Sequence, residues 1–352
     1  MNKYLISTLL ISSSLALDNG LGKVPQMGWN TWNKFACGIS EELIKQTADQ
    51  IVSMGLDKLG YTYINLDDCW MQEERDENGH IQISELFPSG MKSLGDYLHS
   101  LGLKFGVYSS AGEMTCEKKA GSLGYEMIDA HDYASWGVDY LKYDNCFNND
   151  LPAMERYPVM RDALNSTGRP IFYSICNWGE EDTINWGPEV GNSWRTTQDI
   201  FDGWSSIEFN FHTNMNGRAS AGQGGWNDPD MLEVGNGGMT IEEERSHFAL
   251  WAISKAPLII GCDLSTVSDE SLAILTNEEI IAINQDKGSQ QAKCVLGCSW
   301  WDRFFRYPSV WTNKLSSGDV VATVINWRET QWHNFSYELK DIGIVPQDGE
   351  LV

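Results

Sequence analysis

The chain has 352 residues, with 49 Asp and Glu against 25 Lys and Arg and a formal net charge of −24. So acidic a surface repels nucleic acid and anionic membranes, and neither is an expected partner. A hydrophobic content of 42% supports one large domain with a small appendage, and 15 tryptophans suit the stacking of sugar rings without establishing it.

From the N-terminus, Lys3 precedes an apolar stretch over 5–17 interrupted only by Ser and Thr, and Ser14 and Ala16 supply small residues at the cleavage positions. Residues 1–17 therefore read as a secretory signal peptide, and the mature chain is expected to be secreted or delivered to the lysosome or vacuole. No later stretch approaches the roughly 18 apolar residues of a membrane span, so no membrane anchor is expected. The sequons at Asn165 and Asn334 agree with export. Eight cysteines in an exported chain favour disulfides, although eight admit about a hundred pairings. Cys294 and Cys298 are close enough to pair locally, Cys262 reads as a buried thiol, and no CxxC or His-rich spacing suggests zinc.

Strand-like and helix-like runs then alternate. Residues 26–32 predict a strand, followed by a helix over 41–56 with Ile44, Ala48, Ile51 and Val52 on one face and Ser40 as its cap. A strand over 61–68, a polar loop, a helix over 90–101 and a strand over 103–110 follow. Next come a helix over 129–136, a strand over 138–145, a helix over 153–164 and a strand over 171–178. Strands over 193–200 and 224–231, a helix over 242–254 and a strand over 257–264 complete the series, with helical segments to 284. Eight such units predict an α/β fold, a (β/α)₈ TIM barrel over 18–286. The rival open doubly wound sheet lacks its Gly-rich phosphate loop here. Residues 311–326 alternate around a Ser316-Ser317-Gly318-Asp319 turn. They predict a small antiparallel β domain over 287–352, ending before the last strands such a domain would need.

Four of the apolar runs end in acids: YTYINLDDCW (61–70), YLKYDNC (140–146), SWRTTQDI (193–200) and GGWNDPDM (224–231). Parallel barrels keep their chemistry at strand ends, and paired carboxylates flanked by aromatics suit cleavage of a glycosidic bond. Lys142 lies two residues before Asp144 and so on the same side of the strand, where its charge would keep Asp144 ionised as a nucleophile; a structural ion pair fits the pattern equally. Asp199, four residues after Arg195, is a candidate site residue or a helix cap. Asp67 and Asp68 reach one ligand only where their strand ends, and could grip vicinal hydroxyls or a metal ion; Asp228 and Asp230 could do either. Trp29, Trp32, Trp70, Trp178, Trp194 and Trp226 all fall near strand ends, as core residues or as a shared sugar-binding mouth.

From LDNGLGKVPQMGWNTWNKF (17–35) to IIAINQDKG (280–288) the chain resembles the glycoside hydrolase family 27 α-galactosidases (melibiases). YINLDDCW, LKYDNC, YSICNWG, SWR with Asp199, and GGWNDPDMLEVGN carry the likeness in order. The resemblance implies a retaining exo-α-galactosidase acting on α-galactoside saccharides without a metal or organic cofactor. Asp144 would be the nucleophile and Asp199 the acid/base. Asp67 and Asp68 would grip the galactose hydroxyls, Lys142, Arg195 and Asp230 would be further ligands, and Trp32 and Tyr108 pocket walls. Cys176 and Trp178 would occupy the space that an N-acetylgalactosaminidase leaves for the acetamido group. Disulfides Cys37–Cys69 and Cys116–Cys146 are implied. The 201–222 segment is shorter than in the yeast enzymes and lacks their extra cysteines, which bears on whether a homo-oligomer forms. Alternative expectations are the sister N-acetylgalactosaminidase activity, an inactive galactose-binding lectin, and a metal-dependent hydrolase. The lectin is opposed by the presence of both catalytic aspartates, the metalloenzyme by the lack of clustered histidines.

Overall fold

The computed structural model describes residues 17, 19–328 and 336–342. The expected signal segment, apart from Leu17, and the sequon at Asn334 lie outside them. Asn165 of the other sequon is exposed near the end of a helix.

Eight parallel strands form the central sheet: β1 (Met27–Asn30), β2 (Tyr63–Asn65), β3 (Lys104–Ser110), β4 (Tyr140–Asp144), β5 (Phe172–Cys176), β6 (Ser193–Arg195), β7 (Trp226–Asp228) and β8 (Leu258–Ile260). Their spatial order is β8-β1-β2-β3-β4-β5-β6-β7. The ring closes beyond β7, where Leu232 bridges Ile260 in parallel and Leu232 N donates to Ile259 O at 2.8 Å. This is the expected TIM barrel.

Every strand but β3 is markedly shorter than its apolar run. At three strand ends a carboxylate takes the backbone N–H of the next residue, twice in succession after β2. Asp67 accepts from Asp68 N (3.0 Å), Asp68 from Cys69 N (2.7 Å), Asp144 from Asn145 N (2.8 Å) and Asp230 from Met231 N (2.8 Å). A donor spent on a side chain is lost to the strand ladder, so the chain turns away where the acids stand. Asp199, expected at the end of a strand, lies in a loop four residues past β6, and Trp32 sits in a single helical turn after β1.

Packing at the barrel's base follows from residue size. Tyr63, Tyr140 and Phe172 fill it, the last two stacked at 5.0 Å. Gly28 faces Tyr63 and Gly106 faces Asn65; a Cβ at Gly106 would lie 1.9 Å from Asn65 Oδ1, so only glycine fits.

Outside the ring, α1 (Glu41–Ser53) begins where Ser40 Oγ accepts from Leu43 N and buries Ile44, Ala48 and Ile51, each large side chain contributing about 1.5–3 kcal/mol. Val52 is only half-buried. Then come α2 (Gly90–Ser100), α3 (Glu126–Trp136), α4 (Ala153–Ser166), α5 (Thr183–Val190) and α6 (Trp204–Met215). The series ends with α7 (Ile241–Ile253), opened by a Thr240–Glu243 capping box, then α8 (Asp269–Leu275) and α9 (Glu278–Gln285).

Beyond α9, β9 (Lys293–Leu296), β10 (Ser309–Lys314) and β11 (Val320–Ile325) form a separate antiparallel sheet. It leans on α6 through aromatics: Phe211 meets Trp311 at 4.9 Å and His212 meets Trp327 at 4.6 Å. Cysteines pair as Cys37–Cys69, Cys116–Cys146 and Cys294–Cys298, while Cys176 and Cys262 are buried free thiols. Among the described residues no helix is long and apolar enough to cross a membrane.

Four tryptophans brace the barrel. Trp29, Trp70, Trp194 and Trp226 are fully buried, and each indole N–H is bonded, to Cys262 O, Tyr108 O, Asn227 Oδ1 and Gly22 O respectively. Of the six expected near the mouth, Trp32 alone lines the cavity described next.

Candidate active site

At the C-terminal ends of the strands lies a cavity of about 590 Å³. Asp67, Asp68, Tyr108, Lys142, Asp144, Arg195, Asp199, Asp230 and Trp32 all line it, residues drawn from six strand ends. Two other expected site residues do not. Cys176 sits deeper, beneath Arg195, whose guanidinium lies 3.6 Å from its Sγ. Trp178 is half-buried past β5 with a left-handed backbone (φ 59°) and lies outside the cavity lining.

The carboxylates are held in fixed orientations. Asp67 Oδ2 accepts from Asn30 Nδ2 (2.8 Å) and pairs with Lys142 Nζ (2.7 Å). Asp68 Oδ2 accepts from Glu117 N (2.9 Å), and its burial raises the carboxyl pKa. The direct partner of Lys142 is therefore Asp67 on another strand; its charge still lowers the pKa of Asp144, as alternation suggested, but burial outweighs it.

Asp144 is buried at the end of β4, where its Oδ2 accepts from the Tyr108 hydroxyl at 2.9 Å. Burial pushes its pKa up to about 6, against the charge of Lys142 and its hydrogen bonds, and with some help from the charge of Asp199. The residue after it is anchored too: Arg156, almost fully buried, donates to Asn145 Oδ1 (2.8 Å) and to Ala111 O (2.9 Å). The Cys116–Cys146 disulfide closes this edge of the cavity, with Cys116 in the wall.

Facing it, the Asp199 side chain is 69% exposed, toward the cavity it lines, and lies 3.0 Å from Arg195 Nη2. Enclosure alone would raise its pKa, but the charges of Arg195 and Lys142 outweigh that and hold it below the usual range. Arg195 also pairs with Asp230 Oδ2 at 2.9 Å, and that oxygen accepts from Ile200 N at 2.9 Å. Asp230 takes a left-handed backbone (φ 86°). Beneath it Asp228 is raised to about 6 by burial. The arrangement gathers an adjacent acid pair, a buried carboxylate and a solvent-reachable carboxylate around one space, an equipment that can serve cleavage of a glycosidic bond.

Sequence reasoning passed over several wall residues. Asn33, Lys34, Phe201, Asp202, Glu233 and Asn236 line the same cavity from the loops after β1, β6 and β7. Glu233 lies inside the GGWNDPDMLEVGN motif, which was read only for its aspartates. Asn33 and Lys34 lie inside the 17–35 stretch, which was read only for its tryptophans, and Arg156 carries no local signal that marks it.

Comparison with known proteins gives the family. The family model described as alpha galactosidase A matches residues 24–286. Alpha-galactosidase 3 of Arabidopsis thaliana is 55% identical over 89% of the chain and 71% of its own length. The alpha-galactosidase of Cyamopsis tetragonoloba is 51% identical over 95% of the chain and 80% of its own. Among solved structures, alpha-galactosidase I of Mortierella vinacea superposes with a TM-score of 0.83 at 40% identity, covering 88% of this chain and 83% of that one. The Saccharomyces cerevisiae alpha-galactosidase with raffinose gives 0.81 at 40% identity, covering 88% and 75%. The chain belongs to the melibiase family of glycoside hydrolases, the α-galactosidases.

Proposed function

We propose that the chain removes terminal α-linked galactose from oligosaccharides or glycoconjugates by retaining double displacement. Asp144 attacks the anomeric carbon as the glycosidic bond breaks, while Asp199 gives its proton to the leaving oxygen. The galactosyl ester on Asp144 is then cleaved by water, whose proton returns to Asp199. The observation that carries this reading is the meeting of Asp144 and Asp199 in one cavity with the Asp67–Asp68 pair. Asp67, Asp68, Lys142, Arg195 and Asp230 bind galactose hydroxyls, and Trp32 and Tyr108 are walls of the pocket. The relative solved with raffinose supports a saccharide substrate of this kind. The relatives named alpha-galactosidase support galactose over its 2-acetamido analogue, whereas Cys176 and Trp178, expected to fill that space, lie outside the cavity lining.

In the unliganded chain the directions of the two pKa shifts place a shared proton on Asp144 rather than on Asp199. The productive form, Asp144 ionised and Asp199 protonated, reverses that order, and a sugar hydroxyl that takes over the Arg195 contact to Asp199 favours it. An exported, acidic chain of this kind is suited to an acidic medium or lumen.

The test is hydrolysis of p-nitrophenyl α-galactoside by the parent and by Asp144→Ala. Turnover by the parent and a loss of about 10³-fold or more in the variant support the reading. A folded parent inert toward α-galactosides, or one that hydrolyses N-acetylgalactosaminides equally well, would overturn it. A crystal structure should give carboxyl groups about 5–5.5 Å apart, as retention requires.

A further inference from the structure

The cavity has two unlike sides. Asp67, Asp68, Tyr108, Lys142 and Asp144 occupy the arc of β2, β3 and β4. The opposite arc, formed by loops after β6, β7 and β1, carries Asp199. On the proposed mechanism the proton donor faces the leaving group, so the part of this second arc beyond the galactose ligands Arg195 and Asp230 meets the aglycone.

Three features of that arc suit a hydroxylated ring. Phe201 is 60% exposed at the cavity wall, with its ring over Gly203, where no side chain intervenes. An apolar sugar face stacks on such a surface. Lys34 is exposed and lines the same side, a donor for hydroxyl oxygens. Asn33 is half-buried, and its amide Nδ2 is held by Glu233 Oε1 at 2.5 Å. With its nitrogen so engaged, the side-chain oxygen is the free end, an acceptor for a hydroxyl proton.

Glu233 is placed to fix this orientation. It is 2% exposed, and its second oxygen takes Asn236 Nδ2 at 2.6 Å, so one carboxyl ties the loop after β1 to the loop after β7. Its main-chain N–H donates to the buried His247 Nε2 at 3.0 Å, which anchors the residue from behind. Ionised, the carboxylate accepts from both amides; protonated, its carbonyl oxygen still accepts from Asn33 Nδ2, while its O–H needs an oxygen acceptor, which Asn236 offers only when its amide turns Oδ1 inward.

We infer that Asn33, Lys34 and Phe201 form a subsite for a hexose leaving group, with Glu233 as the positioning residue for Asn33. This rests on the α-galactosidase reading above. It separates substrates by aglycone: a sugar aglycone uses the subsite, whereas α-galactosyl fluoride has no ring to place there.

The experiment measures kcat/KM for melibiose and for α-galactosyl fluoride, with the inhibition constant of galactose, in the parent and in Asn33→Ala, Phe201→Ala, Glu233→Ala and Glu233→Gln. The melibiose-to-fluoride ratio is expected to fall about tenfold in the three alanine variants, the worth of one good contact to the sugar. It should recover in Glu233→Gln, whose amide oxygen can still take Asn33 Nδ2. The galactose constant should stay within about twofold, as for contacts that do not touch galactose. A parallel fall on both substrates, or a weakened galactose constant with an unchanged ratio, would overturn the subsite. A parent inert toward both substrates would overturn the α-galactosidase reading, and the subsite with it.

Discussion

The Tyr108 hydroxyl donates to Asp144 Oδ2 at 2.9 Å from the neighbouring strand, where Tyr108 stands in register with Lys142. The bond favours the ionised carboxylate and opposes the burial that raises it. Tyr108→Phe should lower kcat about tenfold, the worth of one hydrogen bond to a charged group. It should also move the acid limb of the pH–rate profile upward, because Asp144 then ionises less readily. An unchanged profile with full activity would separate Tyr108 from the chemistry.

Asp199 acts on Asp144 through its charge, which raises the Asp144 pKa. Asp199→Asn removes that charge, so the acid limb for attack on an activated aryl α-galactoside should move to lower pH. Hydrolysis of the galactosyl ester loses its base in the same variant, so the covalent species should accumulate and be visible by mass spectrometry of the intact protein. Absence of both effects would exclude Asp199 as the acid/base.

Glu233 carries a stability prediction whose sign is definite. Burial raises its pKa from 4.5 to about 7, with Asp230 and Asp202 adding to the rise and the amides of Asn236 and Asn33 opposing it. The folded chain therefore binds this proton more tightly than the unfolded chain. The linked stability is fully present below about pH 4.5 and is lost as pH rises toward about 7, a difference on the order of 3 kcal/mol. Glu233→Gln has no proton to lose, so its Tm relative to the parent should climb between pH 5 and pH 8. A constant difference across that range would contradict the raised pKa.

The Cys116–Cys146 disulfide spans 30 positions and ends two residues from Asp144. Loop closure of that size stabilises by roughly 3–4 kcal/mol. A Cys116→Ala/Cys146→Ala double variant should therefore melt at lower temperature. It should also lose kcat beyond what the lower Tm explains, because the segment after Asp144 is held on one fewer side. Equal kcat at a temperature where both proteins are folded would confine the disulfide to stability.

The barrel was legible because its strands are continuous apolar runs, as in any sheet buried on both faces. Their ends were not, because apolar character continues past the point where Asp67, Asp144 or Asp230 captures the next N–H. Period-two alternation placed Lys142 beside Asp144 correctly, yet the lysine's partner, Asp67, lies 75 positions away, and only the barrel's register brings them together. The acids of the candidate site were legible as motifs. The roles of Asn33 and Glu233, though both lie inside quoted motifs, and of Phe201 were not, since they depend on three loops converging. The tryptophans misled for a physical reason: an indole at a strand end can face inward or outward, and four of them bond inward to polar partners.

The ring of strands is fastened at one point beyond β7, the Leu232–Ile260 bridge, and Leu232 lies between Asp230 and Glu233. The segment that completes the barrel thus also supplies part of the cavity wall. A galactose-like ligand that needs Asp230 in place should bind the fastened ring in preference to an opened one and so stabilise that seam. Saturating ligand should slow hydrogen exchange at the Leu232 amide first. On this account substrate is also a fastener, holding shut the joint whose closure helps to form its own site.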